Sequence, residues 1–552
     1  MNSPMELTRM VTLFDFNLLG TAELSHHVPV GVTLFFAALL VALITCLALE
    51  EKLHAKKSVI AGTFAIICLL AGAIFGILPF EEVVVGSKLV NEDAELVDVV
   101  SDYVKNSETE TGALDGSGEA EHSDESKPTD GEDAGEGASA EEGAENGEAE
   151  ESQVEAEVHV GGHEVSMPVY IPAIDWGVIA IILGSSLFVD ITSKSGLFTW
   201  IAIKVTKATR GDPLLLLAAY GLMTVVFSAV LNNVTAMIIV GSLTAVSLEK
   251  LRRSDMLLGF LLVEGLLTNI GGLLTLISSV PNIIVGSAAQ LSFVQFFQVA
   301  APYVVVATII TIWMGAWMYG VKRLKSEEEK QEAAKLVASF DENDGIENRG
   351  FFWFGALMLL AFIITIATTS YLPYISELQM GFVAMAFAGI MLLRYKSKAD
   401  EFYRALDWDL LGFFMALFVV INVMEHARVL DGIGVGLEAV IGLGDLLGTG
   451  LVLIAAAAFS SVTDNIPLAA MLAKILSNLG TPSESPLWWS VVFGANLGGN
   501  LTPIGSASTL VAVTIIHKHK LEMSFAGFVK TALPFALVQI VIACIYVLMF
   551  LR

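Results

Sequence analysis

The stretch FSAVLNNV, residues 227–234, returns as FSSVTDNI, residues 459–466, which lies 232 positions further along the chain. Both copies sit inside long apolar segments, yet both carry amides, hydroxyls or an acid at their centre. The same spacing aligns IDWGVIAIILGSSLFVD (174–190) with LDWDLLGFFMALFVVIN (406–422). A third pair, TNIGGLLTLISS (268–279) and ANLGGNLTPIGS (495–506), matches at a spacing of 227. Three matches in the same order make the chain a duplicated unit.

The medium around these copies is lipid. Of the 552 residues, 55% are hydrophobic, with a mean hydropathy of +0.69. Apolar stretches of roughly 18 residues or more, each able to cross a bilayer as a helix, recur along the chain. Candidate spans are 28–49, 58–79, 169–192, 255–290 (interrupted), 293–318, 351–370, 379–394, 408–426, 487–515 (interrupted) and 523–551. Segment 213–247 fits differently: as one helix it would run about 52 Å against a hydrocarbon core of about 30 Å. It is too long for one upright crossing and short for two, so it reads as a re-entrant hairpin. Segment 449–476 has the same character.

Basic residues orient the chain, because positive loops stay cytoplasmic. Lys204, Lys207 and Arg210 precede the first hairpin and Lys250, Arg252 and Arg253 follow it. The second hairpin has acidic flanks instead, Asp431, Glu438, Asp445 and Glu484. The two therefore enter from opposite sides, and the duplication is inverted. The expected fold is an all-α polytopic membrane protein of two inverted-topology repeats, each with a re-entrant hairpin and a discontinuous helix, about ten spans and two hairpins in all. Residues 1–80 hold the first two spans of repeat 1, 168–318 its remainder, 319–350 a cytoplasmic linker and 351–552 repeat 2.

Most of the formal charge of −28 belongs to one insertion, 81–167, with 27 acids and three lysines. Rich in Gly, Ala and Ser and nearly without aromatics, it reads as a disordered extracytoplasmic loop. Cys46, Cys68 and Cys544 lie singly in apolar segments, without metal-site or disulfide spacing. The first residues lack a basic region followed by a compact apolar run, so no cleaved signal is expected. The expected location is the cell inner membrane.

Backbone that leaves the helix within a membrane must be buried in protein or line a wet cavity. Asn232, Asn233 and Thr235 mark one such point; Thr463, Asp464, Asn465 and Pro467 mark the other. Exposed carbonyls, amide oxygens and hydroxyls suit a small hard cation. A carboxylate at that depth is costly unless protonated or cation-bound, so Asp464 is the candidate site where a proton and a metal ion compete, which yields exchange. Gly271, Gly272, Gly498 and Gly499 permit the helix interruptions. Asn269, Asn496, Thr275 and Thr502 are in register across the repeat, and Ser278, Ser279, Asn500, Ser506 and Ser508 are further oxygen sources. Glu264 and Asp190 are candidate proton relays.

Together, FSAVLNNVTAMIIV, GGLLTLISSVPNIIVG, FSSVTDNIPLAAM and GGNLTPIGSAST resemble the NhaD-type sodium/proton antiporters. These belong to the ion transporter superfamily, which also contains arsenite pumps and citrate or dicarboxylate carriers. The resemblance implies exchange of Na⁺, with Li⁺ as an alternative, for H⁺ in pH homeostasis. It also implies that Ser228, Asn232, Asn233, Ser460, Asp464 and Asn465 belong to the ion path, with Na⁺ held at Asp464. The family pattern has Asp-Asn at both tips; here the first tip reads Asn232-Asn233. Beyond the transported ions no cofactor is expected; the lipid bilayer is the partner, a homodimer is a candidate assembly, and no nucleic acid is expected.

Two other readings compete. Half-helix N-termini would favour an anion carrier of the same superfamily, for a dicarboxylate or arsenite, but Asp464 repels an anion. An intramembrane aspartyl protease is suggested by GLGD at 442–445; its second motif, a Tyr-Asp pair, is missing from the chain, so an enzyme is disfavoured.

Overall fold

A computed structural model describes residues 28–78, 81–85, 163–343, 345–463 and 465–551. The chain divides into two units, residues 1–79 with 173–552, and residues 80–172. In the smaller unit β1 (Glu81–Val85) pairs antiparallel with β2 (His163–Met167), Glu81 opposite Met167 and Val85 opposite His163. The loop expected over 81–167 begins and ends in these two strands, with Val83 opposite Val165. The acidic stretch between them lies outside the described residues.

The larger unit is helical. Ten helices among the described residues are long and apolar enough to cross a membrane. Seven are continuous: α1 (Val30–Ala48), α2 (Lys57–Phe75), α3 (Trp176–Ser193), α9 (Phe293–Met318), α11 (Arg349–Ala367), α13 (Trp408–His426) and α19 (Phe525–Phe550); an eighth, α12 (Ile375–Arg394), is kinked at Gln379, whose φ of 60° and ψ of 179° are not helical. The other two are an arm of the first hairpin, α5 (Pro213–Val230), and half of the first broken helix, α7 (Leu257–Gly271) with the short turn before it.

Each hairpin is two helices meeting at a short non-helical tip. In repeat 1 these are α5 and α6 (Asn233–Lys250); in repeat 2, α15 (Asp445–Ser460) and α16 (Asn465–Asn478). Asp212 starts α5 by accepting the amide protons of Leu214 and Leu215 at 3.1 Å each, with Pro213 in the first turn. The broken helices are α7 with α8 (Val280–Ala288) and α17 (Pro486–Gly498) with α18 (Ala507–Lys518). Helix α7 stops at its break at Gly271, and α17 at Gly498.

The duplication extends past the motifs that reveal it. Amphipathic helices α4 (Leu197–Ala208) and α14 (Val429–Ile441), which the span reading does not foresee, begin 232 residues apart and each precedes a hairpin. Helices α9 and α19 are both 26 residues long, with Pro302 and Pro534 at equivalent positions. Packing repeats the relation: α3 lies along α12, and α2 along α13. The α3–α12 approach depends on Gly184, where a Cβ would stand 2.5 Å from the Ala384 backbone.

The linker is also structured. Helix α10 (Glu327–Ala338) opens with Glu327, Glu328 and Glu329, the charge a helix N-terminus prefers. After it Glu342 accepts from Lys204 at 2.7 Å and from Lys207, tying the linker to α4. Those two ammonium groups hold its carboxyl down at about 2. Glu401 is likewise lowered by Lys194, which donates to it at 2.8 Å.

Candidate transport site

Each hairpin tip is bolted to the break of its own repeat by the same bonds. Ser228 Oγ reaches the Thr268 carbonyl at 2.7 Å, and Ser460 Oγ reaches the Ala495 carbonyl at 2.5 Å. Thr275 donates to the Ala229 carbonyl and Thr502 to the Ser461 carbonyl, both at 2.5 Å. Glycine sets the approach: a Cβ at Gly271 would meet the Val225 backbone at 2.6 Å and Ser228 Cβ at 2.9 Å. At Gly498 it would meet the Ala457 backbone and, at 2.7 Å, Ser460 Cβ. Every partner here is the repeat equivalent of its counterpart.

Unwound backbone leaves carbonyls that lipid cannot satisfy, and side chains satisfy them here. Ser278 Oγ lies 2.6 Å from the Gly272 carbonyl and 2.7 Å from that of Thr275. Asn282 Nδ2 donates to the same two carbonyls at 2.7 and 2.9 Å. Thr509, its equivalent, lies 3.5 Å from the carbonyls of Gly499 and Thr502.

A second set of bonds joins the repeats. Asn269 Nδ2 donates to Ser506 Oγ at 2.9 Å and Asn500 Oδ1 at 2.8 Å, while its Oδ1 accepts from Ser508 at 2.9 Å. Reciprocally, Asn496 Oδ1 accepts from Ser279 at 2.8 Å, and its Nδ2 donates to Asn282 Oδ1 at 2.9 Å. Asn500 Nδ2 continues to Gln539 at 2.8 Å, and Gln539 to Thr311 at 3.0 Å. Both breaks therefore share one buried polar seam.

Beside this seam lies a cavity of about 330 Å³ that collects both tips and both breaks. Of the candidate residues it is lined by Asn232, Asn233, Thr235, Asn465 and Asp190, with Ser278, Ser279, Ser506 and Ser508. Thr463 lines a second cavity of about 350 Å³, which shares Lys57, Ser506 and Ala507 with the first. Asp464, between Thr463 and Asn465 in sequence, lies outside the described residues. Ser228, Ser460, Asn269, Thr275, Asn496 and Thr502 stand behind the wall, in the bonds given above.

The two tip amides have local duties. Asn232 caps α6, its Oδ1 accepting the Thr235 amide proton at 2.7 Å. Asn233 Oδ1 accepts from Ser228 at 2.6 Å, and its amide fills the space a Cβ on Gly272 would need, 2.7 Å away. An amide oxygen has two lone pairs, so each keeps one for a ligand. Glu264 is away from the cavity: fully buried, it accepts from Thr244 at 2.6 Å, and its Oε2 has no hydrogen-bond partner among the described residues.

The wall also contains Lys57, Ser185, Ser186 and Asp407, none of them singled out from the sequence. Signals for two of these were present. Asp407 is the repeat partner of Asp175, and each caps the span that follows, Asp175 accepting from Val178 and Asp407 from Leu410, both at 3.0 Å. Ser186 precedes Asp190 by one helical turn.

Residues 158–494 match the family described as Citrate transporter, CitMHS. An uncharacterized transporter of Mycobacterium tuberculosis (strain H37Rv) is 30% identical over 380 residues, covering 68% of this chain and 86% of that protein. An uncharacterized transporter of Synechocystis is 27% identical over 402 residues, covering 67% and 85%. Among solved structures, the YdaH transporter of Alcanivorax borkumensis superimposes with a TM-score of 0.49 at 12% identity, covering 69% of this chain and 86% of that one. With its broken helices, opposed hairpins, the family match over residues 158–494 and the 30% identity to the Mycobacterium tuberculosis transporter, the chain is a secondary transporter and belongs to the citrate transporter family, CitMHS, of the ion transporter superfamily.

Proposed function

We propose that the protein exchanges Na⁺, with Li⁺ as an alternative, for H⁺ across the membrane, as the resemblance to NhaD-type antiporters implies. The observation that carries this reading is the chemistry of the cavity between the tips. Its wall has two carboxylates, Asp190 and Asp407, against one ammonium, Lys57, with hydroxyl and amide oxygens between them. Oxygen donors under net negative charge favour a hard cation. Asp464, which stands between Thr463 and Asn465 in the sequence, is the group for which proton and Na⁺ compete. Alternating access follows from rocking one repeat against the other around the shared seam.

The test is a pH probe in inside-out vesicles. Addition of Na⁺ to vesicles with the native protein dequenches the probe, and the Asp464→Asn variant gives no response. An unchanged response in the variant removes Asp464 from the mechanism.

A second reading is favoured by the description of the matched family, a citrate transporter, with Lys57 the one described residue that brings a positive charge to the wall of both cavities. Uptake of labelled citrate or succinate with no Na⁺/H⁺ exchange would establish an anion carrier instead.

A further inference from the structure

The repeats distribute their acids unequally, and the inequality is reciprocal. At the tips Asn232 stands where the second repeat has Asp464. On the preceding spans the order is reversed, for Asp190 of α3 stands where α13 has Asn422. The neighbouring positions follow the same rule. Ser185 and Ser186 correspond to Leu417 and Phe418, so α3 carries a polar stripe that α13 lacks.

That stripe faces the cavity. Ile182, Ser185, Ser186, Val189 and Asp190 all line it, at the spacing of one helix face, with Asn232 of the first tip in the same wall. Among the described residues no hydrogen bond or ion pair reaches the Asp190 carboxylate. Lys194 and Asp407 are charges that act on it, and Lys194 is engaged by Glu401 at 2.8 Å. A carboxyl inside a span, without a protein partner and facing a polar cavity, is placed to receive a cation from that cavity.

We propose that Asp190, with Ser186 and Asn232, forms a second monovalent-cation site in this cavity, the carboxylate on α3 supplying the charge that the first hairpin tip lacks. The inference rests on the cation reading given above. It adds a second bound ion, so one cation is held beside each tip.

The experiment is equilibrium binding of radiolabelled Na⁺ to the full-length protein in detergent, scored as ions per chain. The native protein binds two and Asp190→Asn binds one, with an unchanged melting temperature in Na⁺-free buffer. Moving the charge, Asp190→Asn with Asn232→Asp, returns the count to two. Should Asp190→Asn fail to fold, Ser186→Ala weakens one of the two sites several-fold and leaves the other. A native count of one that Asp190→Asn leaves unchanged overturns this proposal and leaves the exchange reading standing. A native protein that binds no Na⁺ overturns both.

Discussion

Asn269 in the first broken helix donates to Ser506 in the second at 2.9 Å, and the mirrored bond runs from Ser279 to Asn496 at 2.8 Å. The two breaks are thus joined to one another rather than held apart by the hairpins. Asn269 and Asn496 are almost completely buried, so their hydrogen bonds are made within protein.

Removing a buried partner leaves the rest unsatisfied, at a cost of about 1–3 kcal/mol per group. Asn269→Ala removes the bonds to Asn500 Oδ1, Ser506 and Ser508 together. A fall in melting temperature, followed by tryptophan fluorescence in detergent, is the expected result, larger than for Ser279→Ala. Equal stability in Asn269→Ala and native protein would refute the seam as a stabilising contact.

Thr275 and Thr502 hold equivalent carbonyls. Substituting either by valine keeps the shape and removes one hydrogen bond worth about 1 kcal/mol. The two variants should lose similar stability, and the double variant should lose close to the sum, since the sites have no shared partner. A large difference between the single variants would break the equivalence of the repeats.

Glycine positions separate crowding from helix propensity. Gly272→Ala drives a methyl against the Asn233 amide, whereas Gly389 in α12 has no atom within 4 Å of an added Cβ. Gly389→Ala is expected to be neutral or to stabilise by up to ~1 kcal/mol. Gly272→Ala should displace the first tip and cut transport at least tenfold while surface expression persists. Normal transport in Gly272→Ala would show that the Asn233 position is immaterial.

The linker clamp gives a pH prediction. Lys204 and Lys207 bring the Glu342 carboxyl down to about 2. Because that lies below the ordinary carboxylate value of ~4.3, the clamp is complete above it and fades as pH falls toward about 2. Docking of residues 319–350 should therefore be constant between pH 6 and 9. Limited proteolysis across this range would show equal cleavage of the native linker and faster cleavage of Glu342→Gln at every pH.

Much of this architecture was legible from the chain. The 232-residue spacing between FSAVLNNV and FSSVTDNI identified two hairpins, and the Gly-Gly pairs located both helix breaks. Helices α4 and α14 were not read, because they lie along the protein with mixed polarity and resemble loops on a hydropathy scale. The β1–β2 pairing joins residues about 80 positions apart, which no local pattern reports. For the site, the tip residues Asn232, Asn233, Thr235 and Asn465 were named from their polarity and do line the cavity. Lys57, Ser186 and Asp407 were not, since each is an ordinary span-end or helix residue until folding turns it inward.

Sequence alone determined the duplication, the hairpins and the polarity of their tips, because a polar residue in a membrane span must be justified by its own surroundings. Only the tertiary structure decided which of those polar groups serve which purpose. Asn269, Asn496, Thr275 and Thr502 satisfy unwound backbone and one another, while Asn232, Asn465 and Asp190 reach the cavity. The reason is physical: a hydroxyl or amide has the same hydrogen-bonding capacity wherever it stands, and only the position of its partners makes it a strut or a ligand.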